Sequence, residues 1–134
     1  MSGGPLRGVR VLDLTRLLPG RVATLHLADL GADVIKIEGP GAADYARSMG
    51  DGAQGVSVFY RSVNRNKRGL YLDLKHPQGR AVFLRLARAA DIVVESFRPG
   101  VSDKLGIGYE ALRAVNPKIV YCAITGYGQT GPLA

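Results

Sequence analysis

Gly126, Gly128 and Gly131 fall in the spacing G-x-G-x-x-G directly after an apolar, β-branched run. Glycines placed this way can make the tight turn that brings backbone close to a pyrophosphate, while an acid ending a neighbouring strand holds the ribose hydroxyls. Glu38 closes a strand-like run and is the right type of residue for that acid. The order is wrong, however. In a dinucleotide site the glycines lie between the first strand and first helix, about 20 residues before the acid. That position holds Thr15-Arg16-Leu17-Leu18-Pro19-Gly20, and Pro132 follows the third glycine with no helical pattern after it. Gly106, Gly108 and Ala111 fit the spacing loosely, but no clear strand precedes them. Nicotinamide binding is therefore a weak reading.

A second group is basic: Arg61, Arg65, Lys67 and Arg68, next to Phe59 and Tyr60. Cations interleaved with aromatic rings can hold a single nucleic-acid strand, but no DNA- or RNA-binding signature accompanies them. Phosphate binding and an ordinary charged loop remain as equal readings, with nucleic acid below both. No Walker A loop, Cys/His metal spacing or Gly-x-Ser-x-Gly elbow occurs. His26 lies in a helical pattern and reads as a surface or satisfied residue. His76 is in a loop and is better placed, yet still reads as structural. Glu95 sits inside an apolar run; if buried it must be paired or protonated. The single cysteine, Cys122, reads as a small buried thiol that forms no internal disulfide.

These residues need elements to position them. A length of 134 residues suffices for one domain, and 46% hydrophobic content favours a folded chain. No apolar run is long enough to span a membrane, and the N-terminus has no apolar signal core. With one cysteine, this composition reads as cytoplasmic. The net charge of +7 suggests an anionic partner. Short β-branched runs predict strands at 9–14, 34–38, 69–74, 91–97 and 119–125. Helices are predicted at 22–30, 77–90 and 109–115, with a short one at 57–63. In 77–90, Val82, Phe83, Leu86 and Ala90 form the apolar face. Residues 15–20 and 39–55 read as loops. Alternating strands and helices predict an α/β domain with a mostly parallel sheet. Ligands of such sheets bind outside the carboxyl ends of the strands. That rim gathers residues 15–20, 38–41, 75–77, 97–100 and 126–131. The last strand has no element after it, which reads as an incomplete domain with more chain to follow.

Seven segments, in order, carry a resemblance. They are 6–15 (LRGVRVLDLT), 27–38 (LADLGADVIKIE), 64–68 (NRNKR), 72–75 (LDLK), 97–100 (FRPG), 105–109 (LGIGY) and 126–132 (GYGQTGP). Together they resemble class III CoA-transferases, the CaiB/BaiF family, which also includes 2-methylacyl-CoA racemases. The resemblance implies the N-terminal part of a Rossmann-like large domain, residues 1–134, in a parent that forms an intertwined homodimer. It implies coenzyme A or acyl-CoA as substrate, with no permanently bound cofactor. The anionic phosphates of CoA give the positive charge a specific partner. By motif position, CoA contacts map to Leu17, Leu18 and Pro19, to Leu72 and Lys75, to Ser96, Phe97 and Arg98, and to Lys104 and Leu105. Lys67 and Arg68 add charge to this set. Arg21 stands where many relatives have proline, and Gly39 where some have arginine. Arg21 or Lys67 could replace that missing phosphate contact. Ser96 and Lys104 stand for a frequent asparagine and arginine, and lysine lacks the bidentate fork.

The family's transferases attack an acyl-CoA thioester with an aspartate, pass through a mixed anhydride and an aspartyl-CoA thioester, and deliver CoA to an acceptor carboxylic acid. The racemases exchange a proton beside the thioester carbonyl with a histidine and an aspartate. Both sets of catalytic residues follow the 126–132 motif, so none falls in this chain. The long stretch 39–63 favours the transferase. A non-catalytic CoA-binding or interaction module is the alternative of another class. The expected partners are acyl-CoA and carboxylic acid substrates, with no nucleic acid and no membrane.

Overall fold

The computed structural model describes residues 3–40, 44–50 and 57–134. Strands β1 (Arg10–Leu14), β2 (Asp33–Glu38), β3 (Lys67–Tyr71), β4 (Ile92–Glu95) and β5 (Val120–Ala123) form one sheet in the order β3-β2-β1-β4-β5. Every pairing is parallel. The register sets Val34, Val11, Ile92 and Val120 side by side across four strands. Helices α1 (Leu18–Asp29), α2 (Val58–Asn64), α3 (Pro77–Arg88), α4 (Val101–Lys104) and α5 (Tyr109–Val115) fill the connections. This is the α/β architecture that the alternation of periods predicts.

Side chains of successive strand residues leave opposite faces, so the inner strands β1, β2 and β4 feed two cores. Leu12, Leu14, Ile35, Ile37 and Val93 point to one face, where Phe83 and Ala87 of α3 and Leu112 of α5 cover them. Val11, Val34 and Val94 point to the other, against Ala28 of α1 and the neighbouring Ala32. In α3 the buried positions are Phe83 and Ala87, with Gly79 one turn earlier. Val82, expected inside, faces outward, because the helix presents its i, i+4 line to the sheet.

Several other boundaries differ from the sequence reading. Helix α1 begins at Leu18, inside the stretch read as a loop, because Pro19 suits a first turn. Gly20 permits this start: a Cβ there would lie 2.5 Å from Thr15 Cβ, so only a glycine lets the helix pass so close to the end of β1. Strand β3 begins at Lys67, two residues before the expected start, since its first two side chains are anchored by acids on β1 and β2. The turn of helix at α4 was not anticipated; four residues are too few for a periodic signal. Cys122 is exposed, not buried. It lies on edge strand β5, beside the exposed Val120, on a face that no described helix covers. Of the 39–55 loop, residues 41–43 and 51–55 lie outside the described residues; within the rest a 3-10 turn forms at Tyr45–Ser48, capped by the Asp44 side chain.

Phe83 is fully buried beneath the sheet. Phe83→Ala should cost about 3–5 kcal/mol of stability, while Val82→Ala should shift it by less than about 0.5 kcal/mol. Urea denaturation of both variants checks this assignment of the α3 face.

Candidate functional site

The strand order reverses direction between β1 and β4: from β1 the chain moves towards β2 and β3, and from β4 towards β5. Ligands of open parallel sheets bind in the crevice at such a switch point. The loops after β1 and β4 form its walls and are joined by one hydrogen bond, from the Arg16 N–H to Ser96 Oγ at 2.9 Å. The Arg16 guanidinium carbon lies 5.6 Å from the centre of the Phe97 ring.

Two cavities adjoin here and share Phe97. The larger, about 390 Å³, runs between Leu17, Pro19, Ser96, Arg98, Ile124 and Tyr127. The smaller, about 220 Å³, lies between Arg16, Gly39, Leu72, Lys75 and Leu105. Eight of the twelve positions expected to bind a ligand thus come together from four separate loops. Leu18 and Lys104 are exposed on α1 and α4, outside both linings.

Lys67 and Arg68 do not join this rim. They begin β3, at the amino end of the sheet. The Lys67 side chain is almost fully buried, with its ammonium donating to Asp13 Oδ2 at 3.1 Å, Thr24 Oγ1 at 2.8 Å and the Arg21 carbonyl at 3.0 Å. Burial pushes the Lys67 ammonium pKa down, and the Asp13 carboxylate opposes that push. Arg68 forms a fork with Asp33 through two hydrogen bonds of 2.8 Å each. Arg65 pairs with Asp29, and Tyr60 donates to Glu38 at 2.7 Å. Much of the basic and aromatic cluster that suggested phosphate or nucleic acid is thus engaged within the chain.

Arg21, considered as a substitute phosphate ligand, is also turned inward. Its side chain is fully buried, forks onto Asp44, caps the Arg16 carbonyl and lies against the Tyr45 ring. Lys36, equally buried, donates to the Thr15 carbonyl at 3.0 Å and pairs with Asp44 at 3.2 Å. Asp13 accepts from the Thr15 N–H at 2.9 Å and from the hydroxyls of Thr15 and Thr24, each at 2.6 Å. The peptide groups at Thr15 and Arg16 are therefore held from beneath. Nothing in the charge pattern of a short helix reveals which arginine faces inward, so this support escaped the sequence reading.

The other wall is held similarly. Glu95, at the end of β4, is buried and accepts from the Phe97 N–H at 2.6 Å and the Tyr121 hydroxyl at 3.0 Å. Burial raises its carboxyl pKa, and these two donors oppose the rise. His76 caps α3, its Nδ1 accepting from the Gln78 N–H at 3.2 Å. Glu38 does not face a ribose: Arg47 forks onto it at 2.7 and 3.0 Å. Burial alone would raise its pKa, but hydrogen bonds from Arg47 and Tyr60 outweigh this and hold it at about 2. The Gly126–Gly131 motif follows edge strand β5, and its Gly128 N–H bonds to Thr125 Oγ1 at 2.8 Å. Gly126 and Gly128 border the larger cavity. Among the described residues no cluster of His, Cys, Asp and Glu could hold a metal ion, and no helix is long and apolar enough to cross a membrane.

A parallel sheet with helices on both faces and an open switch-point crevice is a doubly wound α/β fold. The chain belongs to CoA-transferase family III, whose model matches residues 6–134. It is 49% identical over 131 residues to human succinyl-CoA:glutarate CoA-transferase, covering 97% of this chain and 30% of that protein. It is 47% identical to acetyl-CoA:oxalate CoA-transferase of Acetobacter aceti, covering 98% and 34%. Among solved structures, a CaiB/BaiF family protein from Brucella suis superposes with a TM-score of 0.90 at 42% identity, over 96% of this chain and 35% of that one. A Mycobacterium tuberculosis protein gives 0.89 at 42% identity, over 98% and 36%. The chain spans about a third of the length of these relatives.

Removing Lys67 leaves Asp13 buried beside an empty space. Lys67→Ala should therefore destabilise the fold by about 3–5 kcal/mol, and Arg68→Ala, on a surface pair, by less than about 1 kcal/mol. Urea midpoints measure both. Glu38 adds a pH signature. Its folded pKa lies below the ordinary 4.5, so its stabilisation is complete above that value and is lost as pH falls from about 4.5 towards about 2. The stability difference between the native chain and Glu38→Gln, followed by acid titration, should shrink across that window.

Proposed function

We propose that this chain is the CoA-binding N-terminal part of a CoA-transferase, which moves CoA between an acyl-CoA and a carboxylic acid. The observation that carries the reading is the pair of cavities meeting at Phe97 on the switch-point rim, in a chain whose family and named relatives are CoA-transferases. Lys75 and Arg98 supply cations at the cavities, and Leu17, Pro19, Leu72, Ser96, Phe97 and Leu105 supply walls. Leu18 and Lys104 extend the surface beside them. Lys67 and Arg68 serve the fold instead.

The chemistry on this reading is a double displacement at the thioester carbonyl. A carboxylate attacks it and expels CoA thiolate, forming a mixed anhydride. The thiolate returns to the anhydride's enzyme-side carbonyl, releases the first acid and leaves an aspartyl thioester. The acceptor acid repeats these steps in reverse. The nucleophilic aspartate lies outside these 134 residues, which bind and orient CoA. The named relatives are transferases, which favours this branch over the racemase. The same reading describes a cytoplasmic enzyme working as an intertwined homodimer, with no permanent cofactor and no nucleic-acid or membrane partner.

Lys75→Ala in the full-length protein should weaken CoA binding by about tenfold or more, the effect of losing one charge-assisted contact. Arg68→Ala should leave it unchanged. Isothermal titration with CoA reads both, and a native protein that binds no CoA would overturn the reading. The 134-residue chain alone should show no turnover of an acyl-CoA with an acceptor acid.

A further inference from the structure

Arg16 carries no role in the sequence motifs, yet it is a cation of the crevice whose backbone is held in place. Its N–H is tied to Ser96 Oγ across the switch point. Its carbonyl is capped by the buried Arg21 guanidinium, and the preceding carbonyl, that of Thr15, by the buried Lys36 ammonium. The backbone that launches the side chain is thus held on both sides by groups that cannot reach solvent. The guanidinium lies against Phe97, the one ring bordering both cavities, and Arg16 lines the smaller of them.

The charge is placed but not neutralised. Arg10, Arg21, Arg47, Arg65 and Arg68 each have a carboxylate within ion-pair distance, whereas Arg16 has none among the described residues. The carboxylate lining the smaller cavity is Asp73, and one of its oxygens accepts the Lys75 N–H. Helix α1, twelve residues long, starts two positions after Arg16 with no acidic side chain in its first turn and no side-chain cap. Its amino end adds partial positive charge on the same side of the crevice.

We propose that Arg16 binds the diphosphate of the CoA ligand. The inference rests on the CoA-binding reading above. CoA has an adenosine 3′-phosphate at one end, a pantetheine arm at the other and the diphosphate between them. A ligand with one end in each cavity must carry its middle past Phe97, whichever way round it lies. The group passing that ring is then the diphosphate, and a planar guanidinium fork matches two of its oxygens. The neighbouring ring and fixed backbone limit the side-chain freedom lost on binding, which favours affinity.

The test is titration of the full-length protein with CoA and with 3′-dephospho-CoA, for the native sequence, Arg16→Met and Arg16→Lys. Urea midpoints establish that the variants are folded. Arg16→Met should weaken both ligands by the same factor, about tenfold or more. Arg16→Lys should recover part of the loss, because it keeps the charge without the fork. Unchanged affinity in a folded Arg16→Met variant would overturn the proposal. So would a loss seen with CoA and absent with 3′-dephospho-CoA, which would move the contact to the 3′-phosphate. A native protein that binds neither ligand would instead remove the CoA reading itself.

Discussion

Five ionisable side chains buried between the sheet and α1 set the conditions for everything above them. Asp13 comes from β1, Lys36 from β2, Lys67 from β3 and Arg21 from α1, and Asp44 precedes the 3-10 turn. A charge taken out of water is tolerated only with a partner at hydrogen-bonding distance. Each of these groups therefore dictates where its partner's element can sit. Strands β1, β2 and β3, the first helix and the connection after β2 are locked to one another by chemistry that a purely apolar core would lack. Two of the cations also spend hydrogen bonds on the carbonyls of Thr15 and Arg16, so the loop at the crevice is held by the same cluster. Three cations against two carboxylates leave a positive excess beneath that loop, which biases the crevice towards anions.

The opposite wall has a smaller counterpart. Glu95 gathers the Phe97 N–H and the Tyr121 hydroxyl, joining the loop after β4 to β5. Both walls are thus supported by buried polar groups, cations donating to one loop and a carboxyl accepting from the other. Such positions hold side chains in place before a ligand arrives, which reduces the ordering cost of binding.

Much of the architecture was legible because strands and helices advertise their periods. The five strands, the parallel class and the rim loops follow from short apolar runs alternating with helical patterns. Leu72, Lys75, Phe97 and Leu105, far apart in sequence, line one cavity. What was not legible was the direction of charged side chains. Lys67 and Arg68 are neighbours in a basic run, and a strand sends one inward to Asp13 and the other outward to Asp33. Arg21 looks like a surface residue until the acid that receives it, 23 positions later, folds over it. Arg16 lies between two motif positions, and only the switch-point geometry sets it apart. Cys122 misled for a related reason: an apolar run in an edge strand is not covered on both sides.

The side of β5 left uncovered among the described residues has a practical consequence for anyone handling these 134 residues alone. The strand has hydrogen-bonding groups on an open edge, and Val120 and Cys122 stand exposed on one face with Tyr127 and Leu133 nearby in sequence. An open strand edge beside apolar side chains is a template for another chain's edge. In a concentrated solution, such molecules would stick edge to edge. The net positive charge opposes this at low salt and does so less as salt rises. For these 134 residues handled alone, dilute, low-salt conditions are accordingly the setting that keeps that edge from interfering with the crevice.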